Sequence, residues 1–136
     1  MELIHSYRYA LEKRDNPKAI ILSRQNMKFF DNDVSYEDFQ TGAYEFMPGK
    51  DITLVATGSE LELAFDISKN LKDLSVQIIS APILNKINKE KIESLNLNQN
   101  IFTLELGRSI GWIHTLKILQ DHFQLILSEN QLQLKS

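Results

Sequence analysis

The sequence predicts an α/β domain, a mostly parallel sheet with helices on both faces, and three features of the chain carry that expectation. Residues 52–56 (ITLVA) form a nearly unbroken apolar run of strand length, as expected of a strand covered on both sides. A tight Thr57-Gly58 turn leads directly into residues 59–71, where Leu61, Leu63, Ala64, Phe65, Ile67, Ser68 and Leu71 recur at helical spacing. That stripe covers about half the circumference, which suits a helix lying flat on a sheet. Downstream, strand-like and helix-like segments alternate, the pattern of parallel strands joined by right-handed crossovers.

Within this first unit, Thr53 is the one polar residue of the strand, and its methyl suits the pleat. Ser59 is placed to cap the helix. Its hydroxyl would accept from the Glu62 N–H while the Glu62 carboxylate reaches back to the Ser59 N–H, a capping box. Both Glu60 and Glu62 also suit the positive end of the helix dipole.

Ahead of that unit, residues 2–14 (ELIHSYRYALEKR) place Leu3, Tyr7 and Ala10, with Ile4 and Leu11, at helical spacing and end in Lys13 and Arg14. A helix is predicted there. Asp15-Asn16-Pro17 is a turn signal, and residues 19–23 (AIILS) then read as a short buried strand ending at Arg24 and Gln25. Residues 26–42 mix Asp, Asn, Ser and Gly with Phe29, Phe30, Tyr36 and Phe39, the composition of a linker that packs on something. Residues 43–47 form a strand closed by a Pro48-Gly49 turn. Beyond the central unit, residues 75–80 (SVQIIS), 100–106 (NIFTLEL) and 124–128 (QLILS) read as strands, with helices over 89–95 and 109–122 between them. Residues 129–136 show no burial pattern.

Composition narrows the function. The 136 residues have room for one domain, or one domain with a piece of another, and 43% hydrophobic with 24% charged residues is ordinary globular usage. A net charge of -3 gives no electrostatic case for nucleic acid or an anionic membrane. The absence of cysteine removes disulfides and thiolate metal sites, and no segment has the length of a membrane span or the layout of a secretory signal. A cytoplasmic location is expected.

Chemical motifs are few. His5, His114 and His122 match no metal spacing and suit structural or solvent roles, and no dinucleotide fingerprint, Walker loop, nucleophile elbow or zinc-protease motif occurs. The Thr57-Gly58-Ser59 turn could hold an anion at a helix N-terminus, but Glu60 and Glu62 would repel phosphate there, which favours capping. Ligands of open α/β sheets gather outside the carboxyl ends of the strands, so Arg24 and Glu105 stand out. Arg24 offers a planar fork of donors for phosphate or carboxylate, or equally a domain contact. Glu105, beside Gly107 and Arg108, suits either a site or a local ion pair.

Taken together, Ala-Ile-Ile-Leu-Ser-Arg-Gln-Asn (19–26), Gly-Ala-Tyr (42–44), Thr-Leu-Val-Ala-Thr-Gly-Ser-Glu (53–60), Ile-Ser-Ala-Pro (79–82) and Glu105 followed by Gly111-Trp112 resemble the C-terminal part of transketolase. The Leu-Ser-Arg-Gln-Asn segment favours transketolase over related thiamine-diphosphate enzymes that share the C-terminal module. The resemblance implies a Rossmann-like three-layer fold. It implies that residues 1–25 are a helix–strand remnant closing a pyrimidine-binding domain, residues 26–42 an interdomain linker, and residues 43–136 the C-terminal domain. The family pattern continues into a Phe-Gly-x-Ser loop and a closing helix, whereas here Ser128-Glu129-Asn130 precedes an unrelated tail, so a C-terminal truncation is expected.

The implied activity is transfer of a two-carbon ketol unit between sugar phosphates in the pentose phosphate pathway, dependent on thiamine diphosphate and a divalent metal such as magnesium. The motifs that hold metal and diphosphate, and the glutamate that activates the cofactor, do not occur in this sequence. The resemblance therefore assigns no catalytic, cofactor or metal residue here, and one substrate residue, Arg24, matching the arginine that clamps the sugar phosphate. The chain alone is expected to be inactive and cofactor-free, with the rest of a transketolase polypeptide as partner and a homodimer as the complete enzyme. The alternatives are a non-catalytic scaffold or dimerisation module, or the C-terminal part of a related thiamine-diphosphate enzyme.

Overall fold

The computed structural model describes residues 1–24, 26–30 and 34–104. Its elements in chain order are α1 (Glu2–Glu12), α2 (Tyr36–Gln40), β1 (Tyr44–Met47), β2 (Ile52–Ala56), α3 (Glu60–Asn70), β3 (Val76–Ser80), a 3-10 turn at Leu84–Lys86, α4 (Lys89–Ser94) and β4 (Asn100–Thr103). The strands form one sheet in the order β1-β3-β2-β4. Strand β2 runs parallel to β3 on one side and to β4 on the other, while β1 pairs antiparallel with β3 at the edge. The expected mostly parallel α/β architecture is the observed one.

Alternation of side chains along β2 and β3 explains the layers. One face of the sheet, with Val55, Ile79 and Ile101, packs under Ile92 and Leu95 of the α4 region. The other, with Leu54, Ala56, Val76 and Ile78, packs under Leu61 and Ala64 of α3. All five residues of β3 are buried, as expected of a central strand covered on both faces. Phe30 closes the α3 side by meeting Phe46 and Phe65 edge to face at 5.3 and 5.2 Å, so the segment ahead of α2 does pack on the domain.

Three local expectations are corrected. Residues 19–23 are extended but form no strand, and Ile21 is 92% exposed. A strand exists only beside a partner, and the four strands of the sheet pair among themselves. The predicted linker contains a short helix, α2, capped by Ser35 Oγ accepting from the Asp38 N–H and anchored by the buried Tyr36 and Phe39. The capping box at Ser59 does not form, because Ser59 is already helical (φ -63, ψ -31). The N–H groups of Glu60, Leu61 and Glu62 instead bond the carbonyls of Thr57, Gly58 and Ser59 at 3.3 Å, which leaves the Ser59 hydroxyl no orphan donor to accept from. The predicted helix α1 is present, and its apolar stripe faces outward: Leu3, Ile4, Tyr7 and Leu11 are all exposed, while the one buried residue of the helix is His5. The segments expected at 109–122 and 124–128 lie outside the described residues.

Candidate functional site

Because β2, β3 and β4 are parallel, Ala56, Ser80 and Thr103 end at one edge of the sheet. Helix α3 starts at that edge, directly after the Thr57-Gly58-Ser59 turn. Its first turns are engaged by Lys28: the Lys28 N–H donates to Glu62 Oε2 (3.2 Å), and Lys28 Nζ lies 3.0 Å from Glu62 Oε1 and 3.3 Å from Asp66 Oδ2. Those bonds hold the Glu62 carboxyl below its ordinary range and push the Lys28 ammonium up. The helix start thus presents carboxylates that hold the Lys28 ammonium.

Arg24 is exposed and lies four residues upstream of Lys28. Four residues span at most about 14 Å, so the Lys28 anchor keeps the Arg24 backbone within that distance of its own. Glu105, His114 and His122 lie outside the described residues.

A second polar centre was not legible in the sequence. Tyr44 Oη donates to Glu2 Oε1 at 2.7 Å, and Ser80 Oγ donates to the same oxygen at 2.5 Å. Burial, and after it the Glu2 charge, push the Tyr44 hydroxyl far above its ordinary range, so it stays protonated and donating. Further along α1, His5 Nε2 donates to the Val34 carbonyl (3.0 Å), with the ring between Tyr36 and Phe39 at 5.5 and 5.6 Å. Glu12 accepts from Tyr36 Oη (2.7 Å) and from Arg8 Nε (2.8 Å). His5 has the structural role expected of it. Glu2, Tyr44 and Ser80 are far apart in the chain and share no periodicity. The only available sign was that two of them fall in the Gly-Ala-Tyr and Ile-Ser-Ala-Pro segments.

Among the described residues there is no group of three His, Asp or Glu side chains able to hold a metal ion. The described helices include none long and apolar enough to cross a membrane.

A family model described as "Transketolase, C-terminal domain" matches residues 43–113, starting one residue before β1. The chain belongs to the transketolase family. Among curated relatives, the transketolase of Mycoplasma genitalium is 30% identical over 132 residues, covering 91% of this chain and 20% of the relative. The transketolase of Halalkalibacterium halodurans is 29% identical over 124 residues, covering 82% and 18%. Among solved structures, a transketolase variant from Pichia stipitis in complex with fructose 6-phosphate superposes with a TM-score of 0.69 at 29% identity, covering 82% of this chain and 18% of that one. The transketolase of Leishmania mexicana gives 0.54 at 28% identity, covering 65% and 14%. The chain thus spans about a fifth of the length of the transketolases it matches, at 18% and 20% of the two curated relatives. It is similar to their C-terminal portion.

Proposed function

We propose that the chain works as the C-terminal portion of a thiamine-diphosphate-dependent transketolase, in which residues 1–25 close a pyrimidine-binding domain, 26–42 link it, and 43–136 form the C-terminal domain. The observation that carries this reading is coverage. Similarity to a whole transketolase takes in 91% of this chain, more than the matched C-terminal domain at 43–113 alone. The outward stripe of Leu3, Ile4, Tyr7 and Leu11 supports it, since an apolar helix face is stable when covered, and four fifths of a relative's length remains to cover it.

In this reading the whole protein is a cytoplasmic homodimer that moves a two-carbon ketol unit from a ketose phosphate to an aldose phosphate. Bound thiamine diphosphate, held with magnesium by other parts of the polypeptide, supplies the carbon–carbon bond chemistry. What this chain contributes is Arg24, an exposed guanidinium able to give a phosphate two parallel charge-assisted bonds. In the complete enzyme, Arg24→Ala should lower kcat/KM for sugar phosphates roughly ten- to a hundredfold, the worth of hydrogen bonds to a charged group, and leave unphosphorylated acceptors unchanged. An equal loss on both substrate classes would assign Arg24 to domain contact instead. The isolated chain should show no heat of binding with thiamine diphosphate and magnesium in calorimetry, and micromolar affinity would overturn the division of labour.

A second reading, a self-associating scaffold, draws on the same exposed stripe. Sedimentation of the isolated chain separates the two: a dimer abolished by Leu11→Glu favours the scaffold, and a monomer removes it.

A further inference from the structure

Tyr44 and Ser80 belong to two of the segments that carry the family resemblance, and the phosphate-binding reading uses neither. They are direct partners in the β1–β3 ladder, so their side chains stand side by side on one face of the sheet. Ser80 has no exposed surface and Tyr44 retains 7%. Their two hydroxyls converge on a single oxygen of Glu2, at 2.5 and 2.7 Å, the range of charge-assisted O–H···O bonds. Two adjacent donors favour an acceptor that carries no hydrogen of its own, which describes an ionised carboxylate and excludes a lysine or an amide nitrogen.

Helix α1 is attached by directional contacts and by the packing of rings, while its apolar stripe faces out. Inward, Glu2 meets the hydroxyl pair, His5 bonds the Val34 carbonyl with its ring against Tyr36 and Phe39, Glu12 accepts from Tyr36, the Arg8 guanidinium lies 3.8 Å from the Tyr36 ring centre, and Lys86 faces the Tyr9 ring. We infer that Tyr44 and Ser80 form a carboxylate socket, and that Glu2 in this socket is the latch that docks α1 onto the sheet. Latched, α1 sets the starting point of the extended segment that ends at Arg24. Unlatched, it separates as a unit while the sheet persists, because the core under α3 and α4 contains no residue of α1. The latch rests on the transketolase reading only for the consequence at Arg24; docking itself involves no substrate.

Amide hydrogen exchange on the full chain tests it, with Glu2→Ala and Tyr44→Phe as separate variants and as a pair. Each single variant should speed exchange of the α1 amides by roughly ten- to a hundredfold, with β2 and β3 amides unchanged, and the pair should add little to either single. Unchanged α1 exchange in Glu2→Ala, which alters a partly exposed position, removes the acceptor and leaves the core intact, would overturn the latch. So would a parallel rise across β2 and β3, which would mark a global loss of stability. If α1 loosens as expected but Arg24→Ala in the complete enzyme affects all substrates equally, the latch stands and the phosphate-binding reading falls.

Discussion

Replacing Thr53 by valine should destabilise the protein more than replacing it by serine, although valine is the more apolar and the better strand former. Thr53 is fully buried in β2, opposite Gln77 of β3. Its hydroxyl donates to Gln77 Oε1 (2.6 Å) and accepts from the Asn98 N–H (3.0 Å) and Asn98 Nδ2 (3.1 Å). Gln77 in turn donates to Glu45 Oε2 at 2.7 Å, so the hydroxyl is the hub of a network spanning β1, β2, β3 and the turn before β4. Valine keeps the volume and removes all three hub bonds. At about 1 kcal/mol net per bond the loss is about 3 kcal/mol, and the Asn98 N–H is left without its acceptor. Serine keeps the hub and loses one buried methyl, about 1 kcal/mol. The difference of about 2 kcal/mol corresponds to a midpoint roughly 5–10 °C lower for valine than for serine in a domain of this size. Urea unfolding of the full chain, compared at equal m values, measures it directly. Valine equal to or more stable than serine would refute the reasoning and reduce Thr53 to a residue that fills the pleat.

Two further outcomes are expected. Gly49→Ala should be severely destabilising, because an added Cβ would sit 2.1 Å from backbone atoms of Val76 and Gln77, whereas at Gly58 (φ +56) nothing lies within 4 Å and only the left-handed conformation opposes alanine, at about 1–2 kcal/mol. Thermal melts of the two variants check the order, and similar losses would contradict the close packing of the β1–β2 turn on β3. Docking of the 26–30 segment should depend on acid: the Glu62 carboxyl is held below its ordinary 4.5 by bonds from Lys28 Nζ and the Lys28 N–H. A depressed carboxyl contributes stability that is present above pH 4.5 and is lost as pH falls through the lower folded value. NMR titration of Glu62 should show that low midpoint, moving back up in Lys28→Ala and drifting upward with salt, as expected of a pair near the surface. A midpoint insensitive to Lys28 would show that the segment is held by Phe30 alone.

What the sequence determined by itself was the α/β unit. The run 52–56 is apolar on both faces and α3 has a broad stripe, so local pattern and burial agree and the strand occupies the residues expected, Ile52–Ala56. The resemblance legible in short segments, Arg24 among them, likewise led to the family that residues 43–113 match. Tertiary structure decided whatever depends on partners distant in the chain. Thr53 looks like a pleat filler until Asn98 and Gln77 are brought to it, and Ser59 looks like a cap until Lys28 takes Glu62 and tight backbone bonds satisfy the first turn. Periodicity located the stripe of α1 but not its direction, because a stripe marks where apolar surface lies and not what covers it. Here the hydroxyls of Tyr44 and Ser80 hold the opposite, polar face of that helix, through contacts that reach across 42 and 78 residues of chain and leave no trace in any local pattern.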